Sequence, residues 1–388
     1  MDFEFSEEQR MLRESVRKMM AKFATPEYVR RLDREQAFPD ELYEEWLKMG
    51  LFRMPFPEEY GGLGGSVIDL VIIAEELSYK SFDLFTAYGG PVFCGLNILR
   101  KGTEEQKRHW LPKVLSGEIK FSVSMSEPDA GSDIGAMRTN AKKVTSGDGN
   151  DWVINGQKLW ATGAGAKNNV INVYVKTDPS VFYRKGMSLF LVDNNAPGVE
   201  LRKLNMLGRR CTGTYEIFFT DVRVPAERLI GGENNGWQVV LAGLQVERIT
   251  STSGYIGGMQ AILDLALDYA KERKQFGRPI GTNQAIAHLL ADMQTELEAS
   301  RLLMWRAAWQ LASGKDALKE ISMAKLFASE AYARMANNGM QILGAYGYNM
   351  EFDMQRHFRD ARSATIGAGT SQMQRNLIAG LMGLKVAS

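Results

Sequence analysis

The sequence predicts an α+β fold, mainly α, in which a helical region is followed by a β region and then by a second helical region. Three observations carry this. Over the first third, apolar residues recur at helical spacing behind capping signals. Between about residues 118 and 231, short β-type runs follow one another, split by Gly, Pro and Asp. Beyond that, helical patterning returns in long stretches almost to the end. The expected domain limits are 1–117, 118–231 and 232–388.

Taken in order, Ser6 precedes "EEQRMLRESVRKMMAKF", with Gln9 placed to complete a capping box and Leu12, Val16, Met19 and Phe23 on one face. Asp40 is expected to cap "ELYEEWLKM", and Gly50 to end it in a left-handed turn. "GGLGG" at 61–65 lacks the strand–turn–helix context of a dinucleotide fingerprint and reads as a turn before a helix starting near Val67. Thr103 and Gln106 form another capping box before "KRHWLPKVL". Then the period changes. In "DWVINGQKLWATG", Asn155-Gly156 between alternating flanks predicts a hairpin, and "NVINVYVKT", "GMSLFLVDN", "GVELRKL" and "TYEIFFTDVRVP" predict further strands of an antiparallel sheet or barrel. "GGENNG" at 231–236 reads as a linker. A helix over 237–270 would span about 50 Å at ~1.5 Å per residue, and long helices are expected at 283–312, 316–340 and 371–384.

Composition narrows the function classes. The 388 residues are 45% hydrophobic and 24% charged with a net charge of +1, which gives no electrostatic case for nucleic acid or an anionic membrane. The opening "MDFEFSEEQR" resembles neither a signal nor a transit sequence, and no apolar run is long enough for a membrane helix. Cys94 and Cys211 form no metal-type spacing, and a reduced, cytoplasmic setting is expected. His109, His288 and His357 are scattered, which disfavours a zinc or Ser-His-Asp site.

Several stretches could carry chemistry. In "GLQVERITSTSGYIGG", Gly243, Glu247, Ser251, Gly254 and Gly258 share a helix face. Glycine inside a helix costs about 1 kcal/mol against alanine, so the cluster needs a reason. Either the bare face packs closely on other helices, with Glu247 in an ordinary ion pair, or a ligand lies along it and Glu247 points at that ligand. "SVSMSEPDAGSD" could line a polar heterocycle or be a serine-rich loop, and Trp160 with Thr162 in "LWATGA" could stack on a planar ring or be core. Arg273, Lys274 and Arg278 could offset the long helix's dipole or meet a diphosphate, and Gly344 reads as a C-cap.

Together, in order and over nearly the whole chain, "MDFEFSEEQ", "PEEYGGLGG", "GTEEQKRHWLPKVLSGE", "SEPDAGSD", "INGQKLWATG", "ERKQFGRPI", "QILGAYGY" and "GAGTSQMQR" resemble landmarks of the acyl-CoA dehydrogenase flavoprotein family. The resemblance implies an N-terminal helical domain, a middle β-domain and a C-terminal four-helix bundle, assembled as a homotetramer or homodimer. It implies FAD as cofactor, an acyl-CoA substrate and an electron-transferring flavoprotein as partner. Met125, Ser126, Trp160 and Thr162 match residues that meet the flavin ring. Arg273 and Phe276 match contacts to the FAD of a neighbouring subunit, Gln341 and Gly344 match the segment at the diphosphate and adenosine, and Thr370 and Gln372 match further FAD contacts. Ala345 stands where a second glycine is common. Ser132 matches a residue near the pantetheine, and Arg248, Gly367 and Gly369 are expected to line the substrate.

One departure is informative. Many members read Tyr-Glu-Gly-Thr before the last helix, and that glutamate is the base; here Gly367 and Ala368 stand in place of the Tyr-Glu pair. In the branches resembling isovaleryl- and long-chain acyl-CoA dehydrogenases the base is instead a glutamate directly before an arginine on the long helix, which is Glu247-Arg248 here. The expected chemistry is removal of the α-proton by Glu247 and transfer of a β-hydride to the flavin, with the Ala368 N–H as a donor to the thioester oxygen. The small 367–368 pair favours a branched, cyclic or bulky acyl group. Three competing readings are an enoyl-CoA reductase running the reverse reaction, an oxidase, and a flavin-binding relative acting on DNA or a partner. The neutral charge and Glu247 count against the last.

Overall fold

The computed structural model describes residues 4–146 and 149–385, so the first three residues of the "MDFEFSEEQ" landmark lie outside it. Six helices come first: α1 Glu7–Phe23, α2 Pro26–Glu35, α3 Asp40–Lys48, α4 Val67–Lys80, α5 Phe82–Lys101 and α6 Glu104–Leu115. The capping boxes at Ser6/Gln9 and Thr103/Gln106 both form, each satisfying otherwise orphaned helix N–H groups. Asp40 corrects an expectation: it is the first helical residue, Pro39 occupies the cap, and no side chain caps α3. Gly50, just after α3, takes φ +73°, as a left-handed turn requires.

The middle of the chain forms β1 Lys120–Ser124, β2 Asn140–Ser146, β3 Gly149–Thr162, β4 Asn169–Lys176, β5 Met187–Asp193, β6 Val199–Lys203, β7 Thr214–Val224 and β8 Leu229–Ile230. The sheet is an open path in the order β6-β7-β3-β2-β4-β5-β8, with β1 also on β4. Most pairs are antiparallel; β1 runs parallel to β4, from Lys120 opposite Asn169 to Ser124 opposite Val173. Trp152, Ile154, Ile171, Val173, Phe190, Ile217 and Phe219 alternate inward to form this layer's own core.

The Asn155-Gly156 hairpin does not exist. Both residues lie inside β3, which pairs with β2 on one side and β7 on the other. The hairpin joins β2 to β3 instead, where Ser146 pairs with Gly149. Gly156 is needed for a bulge: its φ is +143°, and a Cβ there would come within 2.6 Å of Thr139. Asn155 is occupied across the sheet, donating to Asp221 Oδ1 at 3.0 Å and accepting from the Asp221 N–H at 2.9 Å. Pairing on both edges outweighs the local turn preference.

The final third holds α7 Gly236–Glu272, the short strands β9 Lys274–Gln275 and β10 Arg278–Pro279, α8 Gln284–Ala312, α9 Leu318–Leu343, α10 Ala345–Tyr348, α11 Met354–Ala364 and α12 Ser371–Leu381. The glycines of α7 are explained by packing. Gly254 abuts Ser78, Phe82 and Phe85, a Cβ on Gly257 would strike the Glu75 carbonyl oxygen, and one on Gly258 would sit 2.5 Å from Tyr332 Oη. Close approach to α4, α5 and α9 is thus what requires the bare face, and one continuous core spans the N- and C-terminal helices. Among the described residues no helix is long and apolar enough to cross a membrane, and no His/Cys/Asp/Glu group is arranged for a metal.

Candidate active site

Glu247 lies near the middle of the first half of α7. Its side chain keeps some access to solvent, and no hydrogen bond or ion pair holds its carboxylate among the described residues. That removes the ordinary ion-pair reading. The surrounding protein desolvates the group and pushes its pKa up, while the neighbouring Arg248 charge pulls it partly back. Cys94, Tyr174 and Tyr255 are close enough to feel its charge. Burial thus leaves an unpaired carboxylate more basic than an ordinary glutamate, which is the change a general base needs.

Arg248 points elsewhere. It is buried, and its Nε lies 3.4 Å from the Ala368 carbonyl oxygen, which joins α7 to the turn between α11 and α12. In that turn Ala368 has φ +53° and Gly369 φ +87°. The left-handed φ favours glycine at 369, and a Cβ there would also press on Gln374 Nε2 at 2.8 Å. The Ala368 N–H has no partner among the described residues. Gly367 is exposed and carries nothing that would narrow the space beside it. Arg248 thus brings the part of α7 that carries Glu247 against the Gly367–Gly369 turn, about 120 residues away in sequence.

Sequence reasoning missed two members of this cluster. Lys325 of α9 is wholly buried and donates to the carbonyls of Ala364 at 3.0 Å and Gly369 at 2.7 Å. Gln374 of α12, also wholly buried, reaches the Ala368 and Gly369 carbonyls at 3.4 and 3.1 Å. The readable signal was a lysine at helical spacing with Ile321, Ala328 and Tyr332, all core.

A second group sits on the sheet. Trp160 is 54% exposed and takes φ +64° at a bulge where β3 slips against β7 between Lys158 and Ala161. The bulge turns the indole out of the sheet, so Trp160 is not core. Met125 and Ser126 lie beside it, because the Leu159 N–H donates to the Ser126 carbonyl at 2.9 Å and the buried Lys158 donates to the Met125 carbonyl at 2.8 Å. Lys158 also pairs with Glu127 at 2.8 Å. Thr162 Oγ1 is 3.4 Å from Arg209 Nη2, and the Arg209 N–H donates to Asp360 of α11 at 2.7 Å. This chain of contacts ties the Trp160 strand to the helix that leads into the Ala368 turn. Burial and the adjacent Asp83 carboxylate push the Asp360 pKa up. An exposed indole next to the Ser126 and Thr162 hydroxyls, where the sheet meets α11, fits a flavin ring.

The remaining predicted residues are not brought to this place. Arg273, Phe276, Gln341 and Gly344 are exposed and cluster at the far end of α7, where the Arg273 guanidinium lies 5.7 Å from the Tyr346 ring centre. Helix geometry puts them about 39 Å along the axis from Glu247. Phe276 is fully exposed at φ +51°. Thr370 has a structural task as well, since its Oγ1 accepts from the Met373 N–H at 3.2 Å and caps α12, next to the exposed Gln372. Ser132 is exposed. A cavity of about 440 Å³ between α1, α4 and α7 contains none of these residues and is lined by ion-paired Arg13, Arg17 and Glu76.

The chain matches three consecutive parts of one family: the acyl-CoA dehydrogenase N-terminal domain over residues 6–118, the middle domain over 122–222 and the C-terminal domain over 234–382. It is 37% identical to the caffeyl-CoA reductase-Etf complex subunit CarC of Acetobacterium woodii, covering 97% of this chain and 99% of that one. It is 36% identical to the mitochondrial isovaleryl-CoA dehydrogenase of Pongo abelii, covering 96% and 88%. The structure of butyryl-CoA dehydrogenase from Megasphaera elsdenii superposes with a TM-score of 0.93 at 30% identity, covering 99% of this chain and all of that one. The chain belongs to the acyl-CoA dehydrogenase family and is an FAD-dependent oxidoreductase.

Proposed function

We propose that the protein oxidises an acyl-CoA thioester across its α–β bond, with Glu247 as the base. The observation that carries this reading is a raised, unpaired carboxylate on α7, next in sequence to the arginine that meets a turn bearing no carboxylate of its own. The α-hydrogen of a thioester is far less acidic than any carboxylic acid, so a glutamate removes it only if the enolate's charge is met as it forms. The unpartnered Ala368 N–H is suited to donate to the thioester oxygen, and the Arg248 guanidinium behind that residue adds a favourable field. Bound substrate completes the exclusion of water from Glu247 and raises its basicity further. FAD, when bound, supplies the two-electron acceptor for the β-hydride. Trp160, Thr162, Met125 and Ser126 would hold its ring, Thr370 and Gln372 would flank it, and Arg273, Phe276, Gln341 and Gly344 would serve the FAD of a neighbouring subunit in a homodimer or homotetramer. Ser132 would approach the pantetheine.

The near absence of side chains at Gly367 and Ala368 supports a branched, cyclic or bulky acyl group. The relative named with an Etf complex supports an electron-transferring flavoprotein as partner. Its name as a reductase also favours a second reading, in which the same site runs from the enoyl-CoA to the acyl-CoA. The free, buried thiols of Cys94 and Cys211 suit a reducing, cytoplasmic compartment. Purified protein should carry bound FAD by its visible spectrum and bleach anaerobically with acyl-CoAs. Protein that holds FAD but is bleached by no acyl-CoA, and is not reoxidised by any enoyl-CoA, would overturn the proposal.

A further inference from the structure

Lys325 is an unusual residue to bury. It is 0% exposed, no carboxylate lies within ion-pair distance of it among the described residues, and its ammonium is spent on two backbone carbonyls. An uncompensated buried charge is energetically costly and is kept where it does something. Its two acceptors bracket the Ala368 amide, since the Ala364 carbonyl ends α11 upstream and the Gly369 carbonyl follows downstream. The Ala368 carbonyl receives Arg248 Nε and Gln374 Nε2, both at 3.4 Å. Both of these side chains also carry a buried polar atom with no partner, Arg248 Nη1 and Gln374 Oε1. The carbonyls of Ala364, Ala368 and Gly369 are therefore each held by a buried side chain, which braces the two left-handed residues, Ala368 and Gly369.

We propose that Lys325 is a positioning residue for the dehydrogenation: it locks the turn so that the Ala368 N–H stays aimed at the thioester oxygen, and it places a positive charge behind that amide as the enolate forms. This rests on the reading of Glu247 and Ala368 given above. A donor fixed in advance stabilises a transition state without reorganising, which is why small displacements of it are costly.

The charged groups facing Lys325 are few. Arg248 approaches from α7, and Glu330 lies further along α9, paired with Arg375 of α12 at 2.7 Å. Burial first, and Arg248 second, push the Lys325 pKa down to about 8. Arg375 holds Glu330 ionised well below that, so the group behind the turn that changes charge on mild alkalinisation is Lys325.

The test uses full-length, FAD-loaded protein and stopped-flow anaerobic reduction by its best acyl-CoA. Lys325→Met is expected to slow flavin reduction by about 10²-fold, with the affinity for a non-oxidisable acyl-CoA thioether within about threefold of wild type. Lys325→Arg should recover part of the rate. The wild-type rate should fall as pH rises through about 8, and Lys325→Met should lack that fall. Lys325→Met reducing at nearly the wild-type rate, or losing only thioether affinity, overturns the proposal. Should that variant fail to retain FAD, Gln374→Leu, which removes a second grip on the same carbonyls, is read in its place: a loss of about tenfold supports the proposal and an unchanged rate overturns it. Glu247→Gln run alongside separates the two readings. If it bleaches normally, the base assignment fails. If it is dead while Lys325→Met is normal, only the role of Lys325 fails.

Discussion

Replacing Lys158 by methionine tests whether the buried ion pair under the Trp160 strand supports the flavin cradle. The Lys158 ammonium is completely buried, 2.8 Å from both Glu127 Oε1 and the Met125 carbonyl. Methionine keeps roughly the volume and removes the charge and both bonds. Removing one partner of a buried pair costs about 3–5 kcal/mol, because the other charge is left behind. Glu127 would still accept from the Arg138 N–H at 2.6 Å and the Thr139 N–H at 3.0 Å, so the low end, about 3 kcal/mol, is expected. The Met125 carbonyl loses its donor, which loosens the Met125–Ser126 segment and should weaken FAD about tenfold, or about 1.4 kcal/mol. Urea unfolding gives the first number and FAD release by fluorescence the second. Replacing Glu127 by leucine as well should cost less than the single substitution, since no orphaned charge remains. Lys158→Met unfolding within about 0.5 kcal/mol of wild type with undiminished FAD affinity would refute the reasoning.

Three further outcomes follow from particular contacts. Gly257→Ala pushes a methyl into the Glu75 carbonyl and should cost about 1–3 kcal/mol in thermal unfolding; an unchanged melt would mean α4 and α7 are not in close contact. Asp353 is pushed up by burial, but bonds from Arg30 at 2.8 Å and Arg356 at 2.7 Å outweigh this and hold its pKa at about 2, below the usual 3.8. Its folded pKa is depressed, so it contributes about 2 kcal/mol above pH 4 that is lost as pH falls through about 2; Asp353→Asn should be destabilised by about that amount at pH 7 and by well under about 1 kcal/mol at pH 2. In a panel of acyl-CoAs, kcat/KM for isovaleryl- or cyclic substrates should exceed that for butyryl-CoA by about tenfold, as one or two extra methylenes of accommodated volume allow, and the opposite order would reject the volume argument.

Much of the fold could be read in advance because its signals were local. The capping boxes at Ser6 and Thr103 and the terminating Gly50 depend on neighbouring residues, and they formed where expected. Asn155-Gly156 misled because its local turn preference lost to strands paired on both sides, something only the assembled sheet decides. The small-residue face of α7 was legible as a pattern, and its meaning, close contact with α4, α5 and α9, came from tertiary structure. Glu247 and the Ala368 turn could be found because the missing carboxylate drew attention to them. Lys325 left only its spacing with the core residues Ile321, Ala328 and Tyr332, and Gln374 and Lys158 left no sign, since a charged or amide side chain in a helix or strand reads as a solvated surface until its burial is seen.

The central claim is that Glu247 takes the α-proton, and the most direct measurement is the anaerobic rate of flavin bleaching by Glu247→Gln saturated with its best acyl-CoA. The amide keeps the size and cannot accept the proton, so the rate should fall by about 10³-fold or more while FAD and substrate remain bound. Bleaching at close to the wild-type rate would contradict the account, because the carboxylate on α7 would then be a bystander.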